Sequence, residues 1–263
     1  MEDKAMNKTS IILFLGALFL IVPSLAVGGP VITQASTYDA LLNGIFDGYV
    51  TMKDLLAKGD LGVGTYHALD GELILLNGKI YQVKSDGKVY IPPTSLTTPF
   101  AQVAKFKPQV NAPVPKGADY PTFEKIVNAT GPNKNLFWAV KMKGQFSQIK
   151  LRSVPAQNKP YPPLAEVTKT QPVFNLENVS GTILGIRTPV YFRGLAVPGY
   201  HFHFITDDFK SGGHVMAFTL AEGTALEIDM CNQYNLILPE KDKIFSEVDL
   251  SIDRSAEIGK TQR

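Results

Sequence analysis

Glu72–Ile91 reads ELILLNGKIYQVKSDGKVYI, and this stretch decides how the chain is built. Three short runs, Glu72 to Leu76, Lys79 to Lys84 and Lys88 to Ile91, are separated by Asn77-Gly78 and Asp86-Gly87. Asn-Gly and Asp-Gly tolerate the positive φ angles of two-residue turns whose twist matches the flanking strands, so the runs are predicted to pair as hairpins. The stretch is an antiparallel meander. Upstream, Thr37 to Tyr49 is weakly helical, and Thr51 has the side chain of an N-cap for a short helix ending at Gly59. Downstream, Thr122 to Ala129 reads as a short capped helix. Phe137 to Ser153 reads as one or two long strands in which Val140 and Met142 alternate with polar neighbours.

Pro155 to Pro163 holds four prolines in nine positions, which excludes regular secondary structure and marks an expected domain boundary. Beyond it, Val173 to Asn178, Thr182 to Phe192, Tyr200 to Ile205, His214 to Leu220, Ala225 to Met230 and Asn235 to Leu238 are strand-like. Closely spaced strands broken by Gly and Pro suggest a small barrel or sandwich, and Glu240 to Val248 reads as a helix. The expected fold is therefore α/β (α+β) with two domains. Residues 27–154 form an N-terminal mixed-sheet domain and residues 155–263 a smaller β-barrel-like domain.

The first residues are expected to lie outside that fold. Lys4 and Lys8 precede an apolar run from Ile11 to Val22, and Pro23-Ser24-Leu25-Ala26 closes it with small residues suited to signal peptidase. The run is shorter than the roughly 20 residues that span a bilayer, unless it extends through Val27 as an anchor. Export with cleavage near Ala26 is the expectation, with residues 1–26 removed and no stable membrane span left. The net charge is +2 with both signs interspersed, so no basic stripe offers itself to phosphates and nucleic acid is not an expected partner. Neither GxGxxG nor GxxxxGK[ST] occurs. The single cysteine, Cys231, has no partner for an intrachain disulfide and reads as a small buried apolar residue.

Pro198–His214, PGYHFHFITDDFKSGGH, carries the chemistry. In a strand, alternate side chains share a face, so His201 and His203 point one way while Phe202 and Phe204 point the other. Asp207 to Gly213 has the composition of a turn that would fold the chain back and set His214 beside the first two. Three imidazoles would leave an open position on a zinc ion, the arrangement of a catalytic site. The same spacing is also compatible with half-buried structural histidines.

Together with Gly62-Val63-Gly64-Thr65, Leu69-Asp70-Gly71-Glu72 and Arg152-Ser153-Val154-Pro155, the histidine segment resembles the alpha-acetolactate decarboxylase family. The resemblance covers nearly all of the chain after the export segment. It implies a two-domain α/β homodimer joined through its sheet, with one zinc held by His201, His203 and His214. It also implies conversion of 2-acetolactate to acetoin and carbon dioxide, with Glu72 and Arg152 as the active-site glutamate and arginine. A further C-terminal glutamate of the family is matched best by Glu257, with Glu247 as the alternative. Tyr66-His67 departs from the expected pattern, and His67 is read as a surface residue, or one that supports the site from behind, rather than a ligand. Two other readings stand beside this one. A cupin-type metal oxygenase also uses an HxH strand, although carboxylates Asp207 and Asp208 and no second cupin motif follow here. An exported metal- or solute-binding module would need neither Glu72 nor Arg152.

Overall fold

The computed structural model describes residues 29–131 and 133–262; the expected export segment, 1–26, lies outside the described residues. The first nine strands are β1 (Val31–Ala35), β2 (Val50–Thr51), β3 (Leu61–Thr65), β4 (Glu72–Leu76), β5 (Lys79–Val83), β6 (Val89–Tyr90), β7 (Thr97–Thr98), β8 (Ala101–Ala104) and β9 (Val110–Val114). There follow β10 (Phe137–Arg152), β11 (Val173–Thr188), β12 (Gly199–Thr206), β13 (Gly212–Leu220), β14 (Thr224–Cys231) and β15 (Gln233–Ile237). The meander is present as β4, β5 and β6, with Leu76 opposite Lys79 across the Asn77-Gly78 turn and Val83 opposite Val89. It belongs to a seven-stranded mixed sheet of order β15-β1-β8-β3-β4-β5-β6, in which β1 and β15 run parallel.

A second sheet has the order β11-β12-β13-β10-β14-β9, and β11 also pairs with β10. The pairings β10–β11–β12–β13 therefore return to the strand on which they began. The long strand β10 makes this possible. One edge pairs with β11 over residues 138–152, while the other pairs with β14 over residues 137–142 and with β13 over residues 146–152.

The helices follow their caps. In α1 (Tyr38–Leu42) Ala40 N–H donates to the Thr37 hydroxyl, and in α2 (Met52–Lys58) Asp54 N–H donates to that of Thr51, each at 3.1 Å. In α3 (Tyr120–Thr130) the Asp119 carboxylate accepts from Thr122 N–H at 2.9 Å. Each cap satisfies one of the amides that the first helical turn leaves without a partner. Three shorter or later helices, α4 (Leu164–Val167), α5 (Lys243–Glu247) and α6 (Ser255–Gln262), complete the described set. Among the described residues no helix is long and apolar enough to cross a membrane.

Two expectations need correction. The expected runs Val173 to Asn178 and Thr182 to Phe192 form one continuous strand, β11, ending at Thr188, because β10 pairs on both sides of Asn178, which adopts a positive φ of 52° within it. Sheet membership also does not divide at residue 155. β10, before the prolines, lies beside β11, after them, and β15 crosses back to pair with β1. Prolines forbid regular structure, but the loop they make here connects two neighbours within one sheet.

Alternation along β4 shows how the sheets are joined. Leu73 and Leu75 pack with Met52 and Leu55 of the α2 region, whereas Ile74 and Leu76 face a core shared with Ala139, Leu184, Ile186 and Ile205 of the second sheet. The far side of the second sheet packs Phe146, Phe202, Phe204 and Phe218 around Phe123 and Val127 of α3. Cys231 is buried in the shared core, as a small apolar residue would be, and burial pushes its thiol up to about 12.

Close strand approach sets Gly185, opposite Phe202. A Cβ there would stand 1.9 Å from His201 O. Gly185→Ala is expected to force β11 and β12 apart and to cost about 1–3 kcal/mol or more, measured by urea unfolding.

Candidate active site

Strand register assembles the site. Arg152 on β10 lies opposite His214 on β13, and His214 lies opposite His203 on β12, so the three form one row across three neighbouring strands. His201, two residues before His203, shares its face. The other face of β12 carries Phe202 and Phe204 into the aromatic core, so the histidine face must turn toward the first sheet. There it meets Glu72, which has the same parity on β4 as the inward-facing Ile74 and Leu76. His214 reaches its place through Gly213, whose φ of +148° and close approach to Arg152 O, 2.7 Å from a would-be Cβ, leave no room for another side chain.

All five groups are buried: Glu72 8%, Arg152 3%, His201 6%, His203 0% and His214 4% exposed. The ligand nitrogens of the three histidines lie within 4.8 Å of one another. His203 Nδ1 lies 2.9 Å from the carbonyl oxygen of Leu73. A carbonyl only accepts, so Nδ1 carries the proton and the lone pair of the neutral ring is on Nε2, which stands 3.3 Å from Glu72 Oε2. His203 Nε2 and His201 Nδ1 are buried and make no hydrogen bond among the described residues.

The electrostatics follow from that burial. Desolvation holds His201 well below the usual imidazole range, with His203 and Arg152 adding to the effect. It pushes His203 down to about 3, opposed by the Leu73 bond and reinforced by Arg152. Both shifts favour the neutral ring, the state in which imidazole ligates metals. Burial likewise pushes Glu72 up to about 7 against the pull of Arg152 and a backbone hydrogen bond from Val154. Arg152 is drawn below its usual value by desolvation and supported by Glu72.

The three nitrogens fit a metal ion. Two buried ring nitrogens without hydrogen bonds, one of them facing the Glu72 carboxyl, are costly unless something takes their lone pairs or supplies protons. An all-imidazole set suits zinc, copper, iron or nickel. The Leu73 carbonyl fixing His203 is the kind of outer contact that orients a ligating ring.

Beside the histidines lies a cavity of about 50 Å³. Glu72, Arg152 and His201 supply its charged and ligating wall, and Leu41, Leu69, Phe100, Val154 and Leu164 an apolar one. Thr65, from the Gly62–Thr65 block, also lines it. Tyr38, Phe100, Leu164 and Gln171 had no signal in the sequence, because each arrives from a separate loop or short helix. The Leu73 contact was equally hidden, since a backbone carbonyl has no side-chain signature.

Glu257 is not among the residues lining that cavity. Its Oε1 accepts from Arg254 Nη1 at 2.9 Å, while the next residue, Ile258, packs into the cluster that includes Tyr38, Leu41, Phe100 and Val154. Glu247 is exposed at the end of α5, 3.8 Å from Lys243. His67 is half exposed and accepts from Gly48 N–H at 3.0 Å, away from the three histidines, in keeping with a surface residue.

Fold and site define a mixed α/β protein with a buried metal-competent centre beside a small cavity. The sequence matches the alpha-acetolactate decarboxylase family over residues 32–252. The alpha-acetolactate decarboxylase of Methanosarcina mazei is 44% identical over 209 residues, covering 80% of this chain and 72% of that one. That of Brevibacillus brevis is 43% identical over 221 residues, covering 84% and 77%. The crystal structure of the Bacillus subtilis strain 168 enzyme superposes with a TM-score of 0.85 at 38% identity, covering 88% of this chain and 99% of that one. This chain belongs to the alpha-acetolactate decarboxylase family and is a carboxy-lyase, which sets aside the cupin and simple-binder readings.

His203→Ala is expected to abolish stoichiometric metal by elemental analysis, whereas His67→Ala keeps it. A second outcome concerns Asp39, which burial raises to about 6 against the pull of Arg254. Its protonated form is favoured by the fold, so its stabilising contribution is complete below about pH 4 and is lost as pH rises through 6. Asp39→Asn should flatten the fall in thermal midpoint across that window.

Proposed function

We propose that the chain decarboxylates 2-acetolactate to acetoin and carbon dioxide, with zinc held by His201, His203 and His214. The observation that carries this reading is the buried row of Arg152, His214 and His203 facing Glu72, inside a family of this activity. Zinc bound to three neutral imidazoles supplies a Lewis acid for the oxygen that becomes anionic, since neutral ligands leave its charge undiminished.

The chain's own groups do the rest. Loss of carbon dioxide breaks the bond between C1 and C2 of the substrate, and the electron pair spreads onto the keto oxygen as an enediolate. Arg152 presents a planar fork of permanent donors, suited to hold the departing carboxylate and to favour the developing oxyanion in a site where water does not compete. Its burial fixes the fork before substrate arrives. Glu72 is the carboxyl group positioned against the histidine cluster, and in this reading it carries the proton returned to carbon, a role that typically contributes about 10²- to 10⁴-fold. The apolar wall accepts the substrate's two methyl groups and excludes water around the reacting carbons.

Two further parts of the proposal concern context. The Lys4 to Ala26 segment supports export of the mature chain, and a homodimer joined through the seven-stranded sheet is expected. N-terminal sequencing and sedimentation address these separately.

Zinc-loaded protein given racemic 2-acetolactate should form acetoin. Arg152→Lys should retain zinc but lose about 10²- to 10³-fold in kcat, because a point charge cannot replace the fork. Unchanged kinetics in that variant would remove Arg152 from the chemistry, and absence of acetoin from the wild-type protein would overturn the function.

A further inference from the structure

The chain leaves the second sheet at Ser153 and rejoins it at Pro172, where Ser153 N–H donates to Pro172 O at 3.3 Å. This neck adjoins the paired residues Arg152 and Val173. The excursion between its ends forms one side of the cavity through Val154, Leu164, Thr168 and Gln171. Gln171 is the last residue before the neck closes, and its backbone is extended (φ −65°, ψ 137°) after the preceding 3-10 turn. Arg152 and Gln171 therefore enter the cavity from opposite sides of one hydrogen-bonded neck.

Gln171 Oε1 is buried and accepts no hydrogen bond among the described residues. Such an acceptor is unfavourable unless something brings a donor to it. The guanidinium across the neck has donors only, so it serves anionic oxygens and cannot take a hydroxyl proton. The neighbouring hydroxyls already engage the backbone, Thr65 donating to Gly71 O at 2.8 Å and Thr168 to Ala165 O at 3.3 Å, and though each keeps acceptor lone pairs, Gln171 Oε1 differs from them in being buried with no hydrogen bond at all. Glu72 lies against His203. A 2-hydroxy-3-keto acid entering this cavity brings carboxylate and ketone oxygens for cationic partners and one tertiary hydroxyl proton that needs an acceptor.

We infer that Gln171 is a specificity-determining residue whose amide oxygen accepts the hydrogen bond of the substrate's tertiary hydroxyl. It selects 2-hydroxy-3-keto acids over 3-keto acids that lack the hydroxyl. This rests on the reading that the cavity takes 2-acetolactate. Gln171 lies on a loop rather than in either sheet, so its identity can change without disturbing the histidine row.

The test uses two acids of nearly equal shape, 2-hydroxy-2-methylpropanoate and 2,2-dimethylpropanoate, which differ by a hydroxyl in place of a methyl group. Their dissociation constants are measured by calorimetry on the zinc-loaded full chain, for the wild type and for Gln171→Met, which keeps the side-chain length. The wild type should prefer the hydroxy acid. Gln171→Met should weaken that acid roughly tenfold while leaving the dimethyl acid within about twofold. Gln171→Asn, with its acceptor drawn back by one methylene, should fall between them, and thermal midpoints verify folding. An unchanged ratio in Gln171→Met, or equal weakening of both acids, overturns the role of Gln171. Wild-type protein that forms acetoin without preferring the hydroxy acid overturns it too and leaves the decarboxylase reading standing. Wild-type protein that forms no acetoin sinks that reading instead.

Discussion

The burial of three imidazoles, a guanidinium and a carboxylate at the seam between two sheets is the constraint on which the rest of the structure depends. Taking such groups out of water is expensive, and it is tolerated where they face one another in fixed geometry. Here the fixing is done by strand register. Arg152, His214 and His203 stand in one cross-strand row, and Glu72 closes on them from the opposite sheet at 3.3 Å. A slip of one residue in β12 would turn the histidines into the aromatic core and the phenylalanines toward Glu72. The large apolar side of β12, packed around α3, therefore protects the register on which the site rests.

The same burial sets the charge states. It keeps His201 and His203 neutral, it raises Glu72, and it lowers Arg152, with the glutamate and the arginine each moderating the other. A site of this kind needs little rearrangement to act. Its donors and ligands are held by two sheets and by the Leu73 carbonyl, and catalysis by electrostatic stabilisation gains most from groups already in place. The cavity wall is built differently. Gln171, Thr168 and Leu164 come from the excursion between β10 and β11 and Tyr38 and Leu41 from α1, so the cavity wall rests on loops and short helices while the histidine row rests on strands.

Much of this was legible in the chain. The Asn77-Gly78 and Asp86-Gly87 turns lie where the hairpins turn, because the positive φ values of Asn77, Gly78 and Gly87 are a local property of the residues that occupy them. The cap at Thr51 is local in the same way. The shared face of His201 and His203 followed from the period of a strand. The position of β15 did not, since nothing in Gln233–Ile237 specifies a parallel partner some two hundred residues earlier in sequence. The proline-rich segment misled for a related reason. It states what the local backbone cannot do, and says nothing of which strands lie on either side of the loop.

The sequence by itself determined the hairpins, the capped helices, the family and the residues able to ligate a metal, because turn preference, capping and side-chain chemistry are carried by short stretches. The tertiary structure alone decided that Arg152 stands beside His214, that Glu72 and Leu73 of one sheet reach His203 of the other, and that Gln171 lines the pocket while Glu257 does not. Those relations depend on strand order and on which face each strand buries. Both are settled by packing two sheets into one core, a balance to which every strand contributes and which no single segment contains.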